Sequence, residues 1–509
     1  MPLIQLRTYT LKTPSLAAAY AQRWKPTMAS IAKLNIKTRG VYLGETNPKQ
    51  VVAVVEFKDG DDPDTKVGEY ANSPAFNDDL GEIDLSSDFE GVEARVLRPL
   101  GFVEGNNMAS KLARALRVTK KPEQYATMTP SQAIVAFEPG PAHKGGANWE
   151  MTDIKVPSEL GDGELLVEMV ASGICHTDIA LTDPNKGQSF PMVAGHEGSG
   201  YVKAVGPNVK KDVKPGDPVL LSFDSCGSCK ECHEKRPAYC DTFIPMNLYG
   251  ESDVFKHGAD EKQSIGAKFF GHSSFAKLSV VKESTVLPAR DLVKSEEELM
   301  LFAPLGCGIQ TGAGAILNLV KPGVEDTVMV CGLGGVGLSA IMGARIAGCK
   351  RIVAVDKVQE RIDLAKDVFG ATHGLNTSDL TDLTAAMKEI SGGRGPNVVI
   401  ETTGFPLVLE ASYYAVDTRG AFVQVGGPAD PHYRFSLDVV QHLFRGIKLW
   451  GCVEGDSFPG EFIPELIKYY REGRLPVDKM VRYYQAEDFK KALHDMHTGE
   501  TIKPVLVWR

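Results

Sequence analysis

Four of the chain's nine cysteines, Cys226, Cys229, Cys232 and Cys240, fall within one short stretch, CGSCKECHEKRPAYC. Such a cluster could form disulfides, a two-cysteine redox pair or a metal cage. Bridges between neighbours in C-x2-C steps are strained, and a redox pair leaves two cysteines without a role. The spacing C-x2-C-x2-C-x7-C bends a loop around one centre and brings a fourth sulfur to close a tetrahedron. That is the closed site in which Zn²⁺ takes four thiolates at about 2.3 Å. His233, inside the loop, is expected to be a solvated bystander, because four sulfurs fill the site.

A second set is scattered along the chain. GICHTDIA carries Cys175, His176, Thr177 and Asp178; AGHEGSG carries His196 and Glu197; PLGCGIQTGAGA carries Cys307 and Thr311. Each cysteine or histidine alone could be an isolated buried residue. Together, Cys175, His196 and Cys307 have the composition of a three-ligand catalytic zinc site that keeps one position open. The expectation is therefore two zinc ions per chain, one structural and one catalytic. Asp178 and Glu197 follow ligands closely and suit hydrogen bonding to them or transient ligation; ordinary loop hydrogen bonds are the alternative.

The elements that must position these groups follow. TVMVCGLGGVGLSAIMGARIAGCKRIVAVD reads as strand, tight turn, helix, strand. Its apolar run at 328–331 suits a buried parallel strand. Gly332, Gly334 and Gly337 form G-x-G-x-x-G, with Gly335 among them. The first glycine makes the turn, the second lets the backbone approach a pyrophosphate, and the third lets helix and strand pack. The helix N-terminus then presents N–H groups to the phosphates. Asp356, 19 residues after Gly337, can accept hydrogen bonds from adenosine ribose hydroxyls and repel a 2′-phosphate, which predicts NAD. Arg361 is a candidate ribose contact or a solvated helix charge. PNVVIETTG (396–404) and AFVQVGGP (421–428) read as further strands of this doubly wound sheet. Cys331 and Cys349 are expected in or near the core. Phe223, Phe270 and Phe275 are candidate pocket walls, or plain core.

From about residue 131 to 509 the chain resembles a zinc-containing alcohol dehydrogenase of the medium-chain dehydrogenase/reductase superfamily. The stretches AYC, FFGHSSFA, PLGCGIQTGAGA, CVEGDS and FIPELIKYYREGRLPVDKMVRYY are most similar to its aryl- or benzyl-alcohol dehydrogenase branch. The resemblance implies a GroES-like β-rich catalytic domain (131–305), a Rossmann NAD-binding domain (306–450) and a C-terminal return to the catalytic domain (451–509). It implies zinc-dependent interconversion of a primary aryl or allylic alcohol and its aldehyde, with hydride passing to NAD. It also implies that Thr177 takes the alcohol proton and that Thr311 belongs to the cofactor-contacting set. Where some relatives complete the proton relay with histidine, this chain has Ala180. His176 stands where others carry an arginine or histidine facing the cofactor phosphates; binding pyrophosphate, acting as base, or both are open to it. The alternatives are a glutathione-linked formaldehyde dehydrogenase, which shares these motifs, and a non-catalytic binding or scaffold protein. The small-molecule enzyme is expected to be a homo-oligomer, dimer or tetramer.

Residues 1–102 lie outside that plan. LIQLRTYTL, VYLGE, VVAVVEFKD and FEGVEARVLRPL read as strands. SLAAAYAQRWKPTMASIAKLN, with apolar Leu16, Tyr20, Trp24, Met28 and Ile31, and DTKVGEYANSPAFNDDL read as helices. The order βαββαβ is a ferredoxin-like α+β unit. It resembles a NIPSNAP-type domain of the dimeric α+β barrel class, chiefly through QLRTYTLK and the helix after it. Residues 1–142 contain neither His nor Cys, so a dimerisation or small-ligand role is expected there. A polar linker (103–130, its polar character running to Gln132) joins the two parts.

Composition limits the rest. The 509 residues carry a net charge of −9, which gives no general attraction to nucleic acid or anionic membrane. The N-terminal segment lacks the apolar run of a signal peptide, and nowhere do roughly 18 apolar residues run together. A cytoplasmic, reducing setting is expected, in which clustered cysteines bind metal rather than oxidise.

Overall fold

The computed structural model describes residues 3–13, 17, 20–21, 32, 37–43, 50–57, 89–97, 127–138, 147–181, 190–430 and 432–508. The chain divides into two compact units, 1–120 and 121–509.

In the first unit four antiparallel strands lie in the spatial order Lys37–Leu43, Gln50–Phe57, Leu3–Leu11, Phe89–Leu97. Val51, Ala53 and Val55 alternate along one strand and are buried, as period-2 patterning requires. Ala17 and Tyr20 are helical and buried too, and the Tyr20 ring meets that of Tyr9 edge-on at 5.2 Å. Ala21 and Ala32 are helical as well; the other residues of the first expected helix, all of the second, and the linker up to residue 126 lie outside the described residues. The linker reading is corrected at its end: Met128–Phe137 is already a strand, paired with Asn148–Pro157. Its first five residues look like linker because the face they show alternates toward solvent, while Ala133 to Ala136 are buried.

The second unit begins with that strand, which joins Asn148–Pro157, Glu251–His257, Ser264–Ala267 and Met192–Val193 in a closed barrel. Beside it a seven-stranded sheet runs Val286–Pro288, Pro218–Leu221, Glu197–Val205, Glu164–Gly173, Lys503–Val507, Val481–Gln485, with Leu278–Lys282 also paired to Glu164–Gly173. The third sheet is parallel, in the order His373–Asn376, Arg351–Asp356, Thr327–Cys331, Val398–Glu401, Ala421–Gln424, Lys448–Gly451. By position in the chain this is 3-2-1-4-5-6, the doubly wound dinucleotide-binding order. Its first strand is buried on both faces: Val328 and Val330 pack into one apolar cluster, Met329 and Cys331 into the other. The parallel sheet is thus an insert. After it, Val481–Gln485 and Lys503–Val507 pair with each other, and the latter returns to pair with Glu164–Gly173. Among the described residues no single helix is long and apolar enough to cross a membrane.

Candidate active site and metal centres

Strand Glu164–Gly173 ends two residues before Cys175, and helix His176–Leu181 starts directly after it. His196 immediately precedes strand Glu197–Val205. Cys307 lies between a 3₁₀ turn, Ala303–Gly306, and helix Gly308–Gly314, in a non-helical conformation. The turn can approach so closely because residue 306 is glycine: a Cβ there would sit 1.9 Å from the Leu221 carbonyl oxygen. These three elements bring Cys175, His196, Glu197 and Cys307 together, with their ligating atoms all within 4.8 Å of one another.

Asp178 organises the cluster. Its carboxylate accepts from the backbone N–H of Cys175 at 2.9 Å and of Gly195 at 3.0 Å, and faces His196 Nδ1 at 2.8 Å. Phe270 stacks on the imidazole, centroids 4.4 Å apart at 24°. With Nδ1 engaged and the ring held flat, Nε2 is left buried and unpartnered. A buried polar atom without a partner is costly, and an imidazole whose other nitrogen is fixed by a carboxylate is the usual form of a metal-binding histidine. The sulfurs agree. A hydrogen bond from the Cys307 thiol, then His196 and Lys503, outweigh burial and hold the Cys175 thiol well below its usual range; Cys307 is driven up in return. The pocket accepts one thiolate readily, and a second needs a cation beside it.

Glu197 is wholly buried and pairs with Lys503, whose Nζ lies 2.9 Å from both carboxylate oxygens and donates to the Ile174 carbonyl at 3.1 Å. Burial pushes the Glu197 carboxyl up and Lys503 pulls it back; against its own desolvation, Lys503 is held above the usual lysine range by Glu197. Glu454 is buried as well. Its Oε1 is 3.6 Å from Cys307 Sγ and its Oε2 accepts from Gln310 Nε2 at 3.1 Å; burial pushes its carboxyl up to about 7. Sequence reasoning found neither Lys503 nor Glu454 nor Gln310. For Lys503 a signal existed: a lone lysine in an apolar strand, KPVLV, buried at all five positions.

The glycine loop has the predicted shape. Gly332 has φ +88°, and a Cβ on Gly337 would meet the Gly332 carbonyl oxygen at 1.8 Å. A Cβ on Gly334 would meet nothing within 4 Å, so open space lies over the N-terminus of helix Gly335–Ile346. Lys503 borders it, with Cε 3.2 Å from the position of a Gly335 Cβ. Asp356 accepts from the N–H of Leu333 at 2.7 Å and of Val358 at 3.0 Å, and Arg361 Nη1 lies 4.0 Å from it. His176 keeps an exposed edge, yet desolvation is the main reason its imidazole titrates below normal; Cys175 opposes this, and Lys503 and Arg361 add to it. Thr177 is half-buried on the same short helix. The Thr311 hydroxyl donates to the Cys307 carbonyl at 2.8 Å, one turn back. Of the three phenylalanines, Phe270 reaches the cluster, Phe223 packs on Phe243, and Phe275 packs on Trp149.

The four-cysteine loop is a second cluster, its sulfurs within 4.8 Å of one another and those of Cys226 and Cys232 3.9 Å apart. Tetrahedral Zn–S bonds put sulfurs about 3.8 Å apart. Backbone N–H groups of Ser228 and Cys229 point at Cys226 Sγ, and that of Cys226 at Cys240 Sγ, at 3.3–3.4 Å. Though burial resists, these donors bring the Cys226 thiol down to about 6. All nine cysteines are free thiols, and His233 is exposed.

Comparison with known proteins agrees with this geometry. Residues 161–291 match the alcohol dehydrogenase GroES-like domain, and 335–470 the zinc-binding dehydrogenase domain. Geraniol dehydrogenase of Castellaniella defragrans is 36% identical over 385 residues, 75% of this chain and all of that protein. The crystal structure of benzyl alcohol dehydrogenase from Acinetobacter calcoaceticus is 36% identical, with a TM-score of 0.67, over 75% of this chain and all of that one. An alcohol dehydrogenase zinc-binding domain protein from Burkholderia ambifaria is 38% identical, with a TM-score of 0.69 and the same coverage. The chain belongs to the zinc-binding alcohol dehydrogenase family and is an alcohol oxidoreductase that works with zinc and NAD(H).

Proposed function

We propose that the chain interconverts a primary alcohol flanked by an aromatic ring or a double bond and its aldehyde, with NAD as hydride carrier. The observation that carries the catalytic part is the buried His196 Nε2, left without a partner beside two cysteine sulfurs. On this reading Cys175, His196 and Cys307 hold the catalytic zinc, and Cys226, Cys229, Cys232 and Cys240 the structural one. When bound, the catalytic zinc supplies a Lewis acid for the alcohol oxygen. Asp178 fixes the His196 ring. Glu197 stays paired with Lys503 and is the reserve ligand. Thr177 takes the alcohol proton, and His176, beside it on the same helix, receives it next, which gives the chain a proton acceptor despite Ala180. Gly332, Gly334, Gly335 and Gly337 leave room for the pyrophosphate, with His176 beside it. Asp356 and Arg361 take the adenosine ribose, and Thr311 adds to the cofactor contacts.

The aryl or allylic preference is supported by the likeness to the geraniol and benzyl alcohol dehydrogenases. One assay series tests it: NAD⁺ reduction with benzylic, allylic and linear alcohols and with S-hydroxymethylglutathione. Benzylic or allylic alcohols are expected to give the highest kcat/KM. Strong activity on S-hydroxymethylglutathione with none on benzyl or cinnamyl alcohol would assign the chain to the glutathione-linked enzymes instead. In the same series NADP⁺ is the poorer cofactor, and Asp356→Gly narrows the difference by about 1–3 kcal/mol, the scale of a charge-assisted hydrogen bond.

The domain reading is that residues 1–102 form a ferredoxin-like unit of the NIPSNAP type, joined by a linker to a GroES-like part, an inserted Rossmann part and a C-terminal return. The strand order of the first sheet supports it, being that of a split βαβ fold. The unit serves assembly: Val51, Ala53 and Val55 bury one face of its sheet, and the other is the candidate surface for a second copy. A homo-oligomer is also supported by the parallel sheet's edge strand Lys448–Gly451 and by Val439, Leu443 and Phe444, exposed at 69%, 71% and 80%. A chain lacking residues 1–120 should keep its zinc and NAD binding and assemble with fewer subunits by light scattering; an unchanged subunit number would remove the assembly role.

A further inference from the structure

Two stretches, AYC (238–240) and CVEGDS (452–457), meet in space. Tyr239, next to the ligand candidate Cys240, donates its hydroxyl to Asp456 Oδ1 across a sequence separation of 217 residues, and also lies 3.3 Å from the Gly451 carbonyl oxygen. Lys235, in the same cysteine loop, pairs with Glu461 and sits over the Phe458 ring at 5.6 Å.

The segment they hold has an unusual backbone. Glu454, Gly455 and Asp456 are all left-handed, with φ of +49°, +67° and +49°. Residues with a Cβ avoid this region, and a run of three persists only where the surroundings over-determine it. Here they do. A Cβ on Gly455 would lie 2.2 Å from the Gln310 carbonyl oxygen, so only glycine lets the turn rest on helix Gly308–Gly314, and Asn318 Nδ2 donates to the Gly455 carbonyl at 3.0 Å. One end of the turn puts Glu454 against Cys307 Sγ and Gln310; the other puts Asp456 under Tyr239. Gln310 in turn donates to the Gly306 carbonyl at 2.6 Å, just before Cys307.

The geometry points to the left-handed turn Glu454–Asp456 as a strut between the two metal centres: Tyr239 and Asp456 are positioning residues that, through Glu454, set how firmly Cys307 serves the catalytic metal. This rests on the metal assignments proposed above. Tyr239→Phe is the clean probe, because it removes the hydroxyl, with its contacts to Asp456 and to the Gly451 and Val453 backbone, and changes no residue of the turn itself. Asp456→Asn keeps an acceptor and tolerates the left-handed conformation. The full-length zinc-loaded protein is incubated with excess cobalt, and exchange is followed by metal analysis and by the cobalt–thiolate absorption. Partners that touch a metal ligand, as Glu454 does Cys307, change affinity or activity by about 10–100-fold, and Tyr239, acting through it, belongs at the lower end. Tyr239→Phe should therefore exchange one of its two zinc ions about 10-fold faster than the parent, keep the other, and lose kcat with little change in KM for NAD⁺. Asp456→Asn should behave like the parent. Two zinc ions in the parent with an unchanged exchange rate in Tyr239→Phe would overturn the strut alone. So would parallel loss of both ions, which marks mere weakening of the cysteine loop, or an Asp456→Asn chain that exchanges as fast as Tyr239→Phe. Fewer than two zinc ions in the parent would overturn the metal assignment and the strut together.

Discussion

Cys175→Ser should yield a folded chain with one zinc ion in place of two and alcohol oxidation reduced by about three orders of magnitude or more. The magnitude follows from losing a Lewis acid worth several kcal/mol of transition-state stabilisation, at about 1.36 kcal/mol per tenfold in rate. Folding should survive because the local structure does not depend on the sulfur. Asp178 accepts from the residue 175 backbone N–H and from Gly195, whatever the side chain at 175, and the flanking strand keeps its ladder to Glu197–Val205. Metal analysis and NAD⁺ reduction on the same preparation check the prediction. Two retained zinc ions, or activity within tenfold of the parent, would remove Cys175 from the ligand set.

Cys240→Ser should do the opposite, lowering stability before it touches chemistry. The loop's helices are short: Lys230–His233 has four residues, none buried, and Pro237–Tyr239 three. Such pieces do not hold themselves together, so a metal in the sulfur cluster contributes folding free energy directly. Loss of one of four thiolates, the buried one, is expected to lower Tm by about 5–15 °C and the soluble yield with it, given roughly 2–4 °C per kcal/mol in a unit of this general size. Thermal unfolding with and without a chelator is the measurement. If parent and variant melt together, the loop is not a stabilising metal site.

What could be read from the sequence follows chemistry. Cysteines at C-x2-C steps have few uses, and G-x-G-x-x-G after an apolar strand fixes backbone shape, because Gly332 and Gly337 stand where a Cβ would collide or strain. Such local rules made the four-cysteine loop and a doubly wound parallel sheet readable, whereas the strand order 3-2-1-4-5-6 needed the fold itself. Lys503 and Glu454 were not legible. Each is an ordinary charged residue whose meaning comes from a partner far along the chain, Glu197 in one case and Cys307 in the other. Aromatic residues hid their roles for a different reason. Phe270 and Phe275 are equally buried and five residues apart, yet only Phe270, with φ +50°, turns its ring onto His196. The start of strand Met128–Phe137 was masked by its polar, solvent-facing alternation.

The inserted parallel sheet also sets the order in which the chain can self-assemble. Lys503 reaches the Ile174 carbonyl across 329 residues, and pairing of Val505 with Gly173 closes a span of nearly the same length. Closing a flexible loop of that length costs about 5 kcal/mol of chain entropy, since the cost grows as (3/2)RT ln n. Long-range pairings of this kind are the slow ones. An insert that has already collapsed delivers its two ends near each other and shortens the effective loop. The ion pair at Glu197 is therefore expected to form late, once the inserted lobe has brought its two ends together.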